Sequence, residues 1–131
     1  MRLSRIGWPC FALLFVVAGA VQFNDPDTAG WVALYWAAAV VAGAWPVRAR
    51  LPGGVALGLL LLAFAVEIAS VLWAMLLVRA VLEVGQVDLG VEVQREFGGL
   101  VVVAGAMSVA ISGARRGRRA LRGGDRAGGP A

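Results

Sequence analysis

Polar residues in this chain are gathered into clusters, and between the clusters the side chains are apolar on every face of any helix they could form. Four apolar runs result: Ile6 to Phe23, Ala29 to Val47, Gly53 to Val78 and Phe97 to Ala114. A soluble domain would show apolar stripes repeating every 3.6 or 2 residues, with polar faces between them. These runs show neither period. Their lengths approach or meet the roughly 17–25 residues that carry a helix across a hydrocarbon core about 30 Å thick. Asp25-Pro26-Asp27, Arg48 to Pro52 and Arg79 to Glu96 separate the runs, each with charges or helix breakers. The connections are short, so neighbouring helices run antiparallel. The pattern predicts an all-α membrane protein: a four-transmembrane-helix antiparallel bundle over residues 1–114, with helices at about 6–23, 27–47, 53–78 and 93–114.

Composition agrees. Of 131 residues, 60% are hydrophobic and 15% charged, against roughly 45–50% and about 25% in soluble domains. The third run carries Glu67 near its centre, which opposes insertion by about 2.5–3.5 kcal/mol. Twelve Leu, Ile, Val or Phe residues between Leu57 and Leu77 outweigh it, together favouring insertion by about 4–7 kcal/mol. The fourth run is the weakest inserter, holding Gly98, Gly99 and Gly105, and is expected to lean on the other three.

Charge sets an expected orientation. Lysine is absent, and ten of the twelve arginines flank one membrane face: Arg2, Arg5, Arg48, Arg50 and the six between Arg115 and Arg126. Only Arg79 and Arg95 flank the other. The positive-inside rule then puts both termini in the cytoplasm and the protein in the cell (inner) membrane. Residues 115–131 read as a basic disordered cytoplasmic tail that attracts anionic lipid head groups rather than nucleic acid. The first run could pass for a signal peptide, with Ala18-Gly19-Ala20 near its end. It is long for one and leads straight into a helix-to-helix turn, so it reads as a retained span.

Helix contacts should be close. Gly54 and Gly58, Ala39 and Gly43, and Ala104, Ser108 and Ser112 are each spaced by four, placing small residues on shared faces. Polarity concentrates at two motifs and one isolated residue. In Gln22-Phe23-Asn24-Asp25-Pro26-Asp27-Thr28, Asp25 before Pro26 suits a helix cap, and Asp27 falls where the helix dipole favours a carboxylate. That leaves Gln22 and Asn24, at the same depth, without an explanation. Glu92-Val93-Gln94-Arg95-Glu96 leads into the fourth helix with Glu92 and Glu96 on one face and Arg95 beside them. The same face continues through Gly99, Val103, Ala106 and Ala110. Glu67 shares a small, slightly polar stripe with Ala63, Ser70 and Ala74, as an inward face would. A carboxyl at that depth either glues helices through a hydrogen bond or handles a ligand or proton. Asn24 and Arg95 are its candidate partners.

These motifs also carry a resemblance. Gln22-Phe23-Asn24-Asp25-Pro26-Asp27, followed by Trp31 and Tyr35, resembles the Q-x-N-D-P-D turn and following helix of the transmembrane protein 220 family. Arg95-Glu96-Phe97-Gly98-Gly99-Leu100 is similar to that family's R-E-x-x-G-L helix entry, and Trp73-Ala74 is a weaker echo. The resemblance spans roughly residues 6 to 112 and implies a four-helix membrane protein in which Asn24, Asp25, Asp27, Arg95 and Glu96 belong to defining motifs. It implies no activity, and Glu67 matches no motif of the family.

The chemistry available is narrow. With no histidine and one cysteine, Cys10, intrachain disulfides, Cys/His zinc sites and His-dependent catalysis are excluded. No catalytic, cofactor or metal residues are identified, and an enzyme ranks third among the readings. The first is an accessory or binding subunit, with a membrane-protein partner or a second copy of itself, held together by its polar motifs. The alternative is a site for a small cation, small solute or lipid head group built from Gln22, Asn24, Asp25, Asp27, Glu67, Glu92, Arg95 and Glu96, where oxygen ligands would suit Ca²⁺ or Mg²⁺.

Overall fold

The computed structural model describes residues 3–24, 28–84 and 91–127. Among them the secondary structure is wholly helical: α1 (Leu3–Val21), α2 (Thr28–Ala44), α3 (Gly53–Val84) and α4 (Val91–Ala127), with 3₁₀ turns at Gln22–Asn24 and Trp45–Arg50. Thr28–Arg50, Gly53–Glu83 and Glu96–Ala114 are long and apolar enough to cross a membrane, whereas the apolar part of the first helix, Ile6–Val21, is shorter.

Several helix ends differ from the expected ones, for local reasons. The second helix loses its α geometry after Ala44, where Pro46 removes a backbone donor and its ring excludes a normal turn. The chain then winds as 3₁₀ helix through Arg50, fastened by Arg48, whose Nη1 donates to the Trp45 carbonyl at 2.9 Å and whose guanidinium lies 4.3 Å from the Trp45 ring centre. The third helix continues six residues past Val78 to Val84, since extending an existing helix costs little and Arg79 and Glu83 add an ion pair across one turn at 2.7 Å. The fourth is helical to Ala127, across residues that composition assigns to a disordered tail. Arginine, alanine and leucine are good helix formers, and extending a helix costs far less than starting one.

Packing is organised around α2. The first two helices pack along each other, α3 and α4 do likewise, and α2 joins the pairs by lying against α3 and, over a smaller area, α4. Between α1 and α2 the touching residues run in opposite order. Gly19 lies against Trp36, Ala12 is near Gly43, and Trp8 meets Trp45 with ring centres 5.8 Å apart. The core gathers Phe15 of α1; Trp31, Leu34, Ala38 and Val41 of α2; Leu59, Ala63 and Val66 of α3; and Leu100, Val103, Met107 and Ala110 of α4.

Two glycines set how closely the pairs meet. A Cβ at Gly30 would lie 2.6 Å from the Trp73 ring, so a side chain there would push α3 away from α2. The gap lets Trp73 stack on the fully buried Trp31, with ring centres 4.4 Å apart. At Gly99 a Cβ would collide with the Tyr35 hydroxyl, which rests on the backbone of α4 there.

The outside of this assembly is apolar. Leu13, Val17, Val40, Leu61, Ile68, Leu72, Met75, Leu76 and Val109 are all exposed. A soluble monomer rarely exposes an apolar surface of that extent. With the backbone bonded inside helices, hydrocarbon can cover it without leaving a polar group unsatisfied.

Candidate functional site

Gln22 closes α1 in the 3₁₀ turn and is buried, 7% exposed. Its carbonyl accepts a hydrogen bond at 3.0 Å from the hydroxyl of Thr28, the first residue of α2. That bond spans the turn between the two helices and occupies a carbonyl that the end of α1 would otherwise leave bare. Thr28 stands in the motif but was not singled out by the sequence. Its signal is position: a hydroxyl at the first residue after Asp25-Pro26-Asp27 can reach back over the turn. Asp25 and Asp27 lie outside the described residues, as does the side chain of Asn24, so their capping roles remain expectations.

Glu67 is half-buried on α3, and its carboxyl oxygen Oε1 accepts a hydrogen bond from the hydroxyl of Ser108 on α4. Among the described side chains its partner is Ser108; those of Asn24 and Arg95, the partners expected from the sequence, lie outside them. Arg95 precedes Ser108 by thirteen residues of continuous helix, roughly 20 Å along the axis. Ser108 belongs to the small-residue series with Ala104 and Ser112, where the sequence suggests close packing but not a donor. One turn from Glu67 on the same helix, Ser70 is fully buried and donates at 2.8 Å to the Val66 carbonyl of its own helix.

The second motif lies at the other end of α4. Glu96 is half-buried, while the side chains of Glu92 and Arg95 lie outside the described ones. Glu96 precedes Ser108 by twelve residues, roughly 18 Å, so Glu67 and Glu96 belong to different levels of the helix pair. The stripe leading from Glu96 is an interior face as expected: Val103, Ala106 and Ala110 are buried and Gly99 receives the Tyr35 hydroxyl. Among the described residues, no three carboxylate or thiol groups come together as a metal site, and no buried side-chain nitrogen or oxygen lacks a hydrogen-bond partner.

A hollow that the sequence does not reveal opens between α3 and α4. From Ser70 and Ala104 outward, a groove of about 610 Å³ runs between the two helices to Arg79 and Glu83, on the side of α3 turned away from Trp73 and its stack on Trp31. Ala74, Val78, Phe97 and Val101 line it, and a second hollow of about 360 Å³ lies beside Phe97, reaching Gln94.

Apolar helices of spanning length and an apolar outer surface define an integral membrane protein of the helical class. The chain belongs to the family described as Transmembrane family 220, helix, which matches residues 14–112. No curated protein and no solved structure matches it.

Proposed function

We propose that this is a noncatalytic, four-span membrane protein with both termini in the cytoplasm, acting as an accessory or binding subunit. The observation that carries this reading is the use of the polar groups within the helices: Thr28 on the Gln22 carbonyl, Ser108 on Glu67 and Ser70 on the Val66 carbonyl. Each secures a helix or a helix joint. The opposite residue order across the first helix pair supports an antiparallel arrangement. Ile6–Val21 covers roughly 24 Å, and the 3₁₀ turn through Asn24 adds about 6 Å, which together reach the thickness of the hydrocarbon core. Trp8 and Trp45 beside Arg48 form the aromatic and cationic grouping expected at a membrane interface.

Topology is tested by cysteine labelling in a Cys10→Ser background. Single cysteines at Asp25 and Arg119 should react with impermeant maleimide from opposite sides of sealed vesicles, and labelling from one side overturns the four-span reading. Asn24→Ala and Glu96→Ala should each lower the melting temperature in mild detergent. Unchanged melting for both would refute a structural role for the motifs.

A further inference from the structure

The groove between α3 and α4 has the length, lining and charge of a site for one membrane lipid. Gly53 opens α3 just beyond Arg48 and Arg50, so it marks one membrane face. Arg79, twenty-six residues further on, lies roughly 39 Å away along the helix, near the head-group level of the opposite face in a bilayer about 40–45 Å thick. Ser70, at the inner end of the groove, lies in the hydrocarbon. Ser70 to Glu83 spans thirteen residues, roughly 20 Å, the depth of one leaflet. Among the described residues the walls are almost wholly apolar, and the charged side chains that line them, Arg79 and Glu83, stand together at the mouth.

The geometry points to a phospholipid with a zwitterionic head bearing a primary ammonium, its acyl chain lying between α3 and α4. The Arg79 guanidinium donates to the phosphate, and the Glu83 carboxylate accepts from the ammonium. An exposed pair of opposite charges complements a head group of opposite charges and disfavours a purely anionic one. The volume of about 610 Å³ falls in the range of about 300–1,000 Å³ typical of small-molecule sites. Assigning the lipid to the outer leaflet rests on the orientation proposed above, whereas its binding does not.

Native mass spectrometry of the whole protein, released from mild detergent after adding back phosphatidylethanolamine or phosphatidylglycerol, tests this. One phosphatidylethanolamine should be retained per chain, in at least fivefold preference to phosphatidylglycerol. Ala104→Phe, which fills the groove, should reduce retention at least tenfold. Val78→Trp fills the same space from an exposed position and covers the case in which Ala104→Phe fails to fold. Val102→Phe, exposed on α4 outside the groove, should retain lipid as the parent does. Arg79→Gln combined with Glu83→Gln should abolish the preference between the two lipids. Retention unaffected by both filling variants, or no head-group preference in the parent, overturns the proposal. So does loss of a second protein copy rather than a lipid on filling, which would make the groove an interface between chains. Cysteine labelling reads the topology independently, so failure of the lipid site leaves the four-span reading standing or falling on its own.

Discussion

The hydrogen bond from Ser108 to Glu67 ties α3 to α4 within the hydrocarbon. Glu67 lies fourteen residues beyond Gly53, roughly 21 Å along α3, so water competes weakly for either partner. Interhelical hydrogen bonds in membranes average about 0.6 kcal/mol, with a maximum near 1.7, because the separated helices also find partners for their polar groups. A carboxyl held among apolar side chains has few substitutes, and a coupling of about 1–1.7 kcal/mol is expected. It is measured by a double-mutant cycle of Ser108→Ala and Glu67→Leu, using unfolding in mixed micelles of mild detergent and sodium dodecyl sulfate. Glu67→Leu alone also changes the insertion energy of α3 by roughly 3–4 kcal/mol. Both the packed and the separated states are already inserted, so this contribution cancels from bundle stability and appears only in insertion assays. Glu67→Gln keeps the accepting oxygen and should retain most of the coupling. A cycle value below about 0.5 kcal/mol, the level at which independent sites simply add, would refute the bond as a tie between these helices.

Gly99→Ala should destabilise the bundle by about 1–3 kcal/mol through the clash with the Tyr35 hydroxyl, and adding Tyr35→Phe should restore part of the loss in the same unfolding assay. Thr28→Val leaves the Gln22 carbonyl without its hydroxyl donor and should cost about 0.5–1.5 kcal/mol; no change in the unfolding midpoint would show that the bond contributes nothing. Millimolar Ca²⁺ or Mg²⁺ should leave the melting temperature unchanged, and a rise of several degrees would instead favour the carboxylate-cluster reading.

The apolar runs were legible because insertion depends on one-dimensional sums along the chain, and even Glu67 could be weighed against its neighbours without a structure. Helix ends were less so. Hydropathy marks where hydrocarbon stops, whereas a helix stops where its backbone bonding fails; α3 continues past Val78, with the Arg79–Glu83 pair adding to its last turns, and Pro46 ends the α geometry of the second helix while the sequence is still apolar. Ser108 as the partner of Glu67 was hidden because the register of α3 against α4 is a tertiary property. Arg95, a stronger donor chemically, is about a dozen residues out of step. The groove was hidden for a related reason: it is a space left between two helices, and no residue in its lining announces it.

The stacked indoles of Trp31 and Trp73 straddle the joint between the two helix pairs. Two such chromophores held 4.4 Å apart at an interplanar angle of 30° are asymmetrically coupled, and their excited states mix into a split circular-dichroism band. The share of that band that disappears in Trp73→Phe is thus an optical gauge of whether the two halves are docked, readable without an added label, while the Trp8–Trp45 pair inside one half supplies the band that remains.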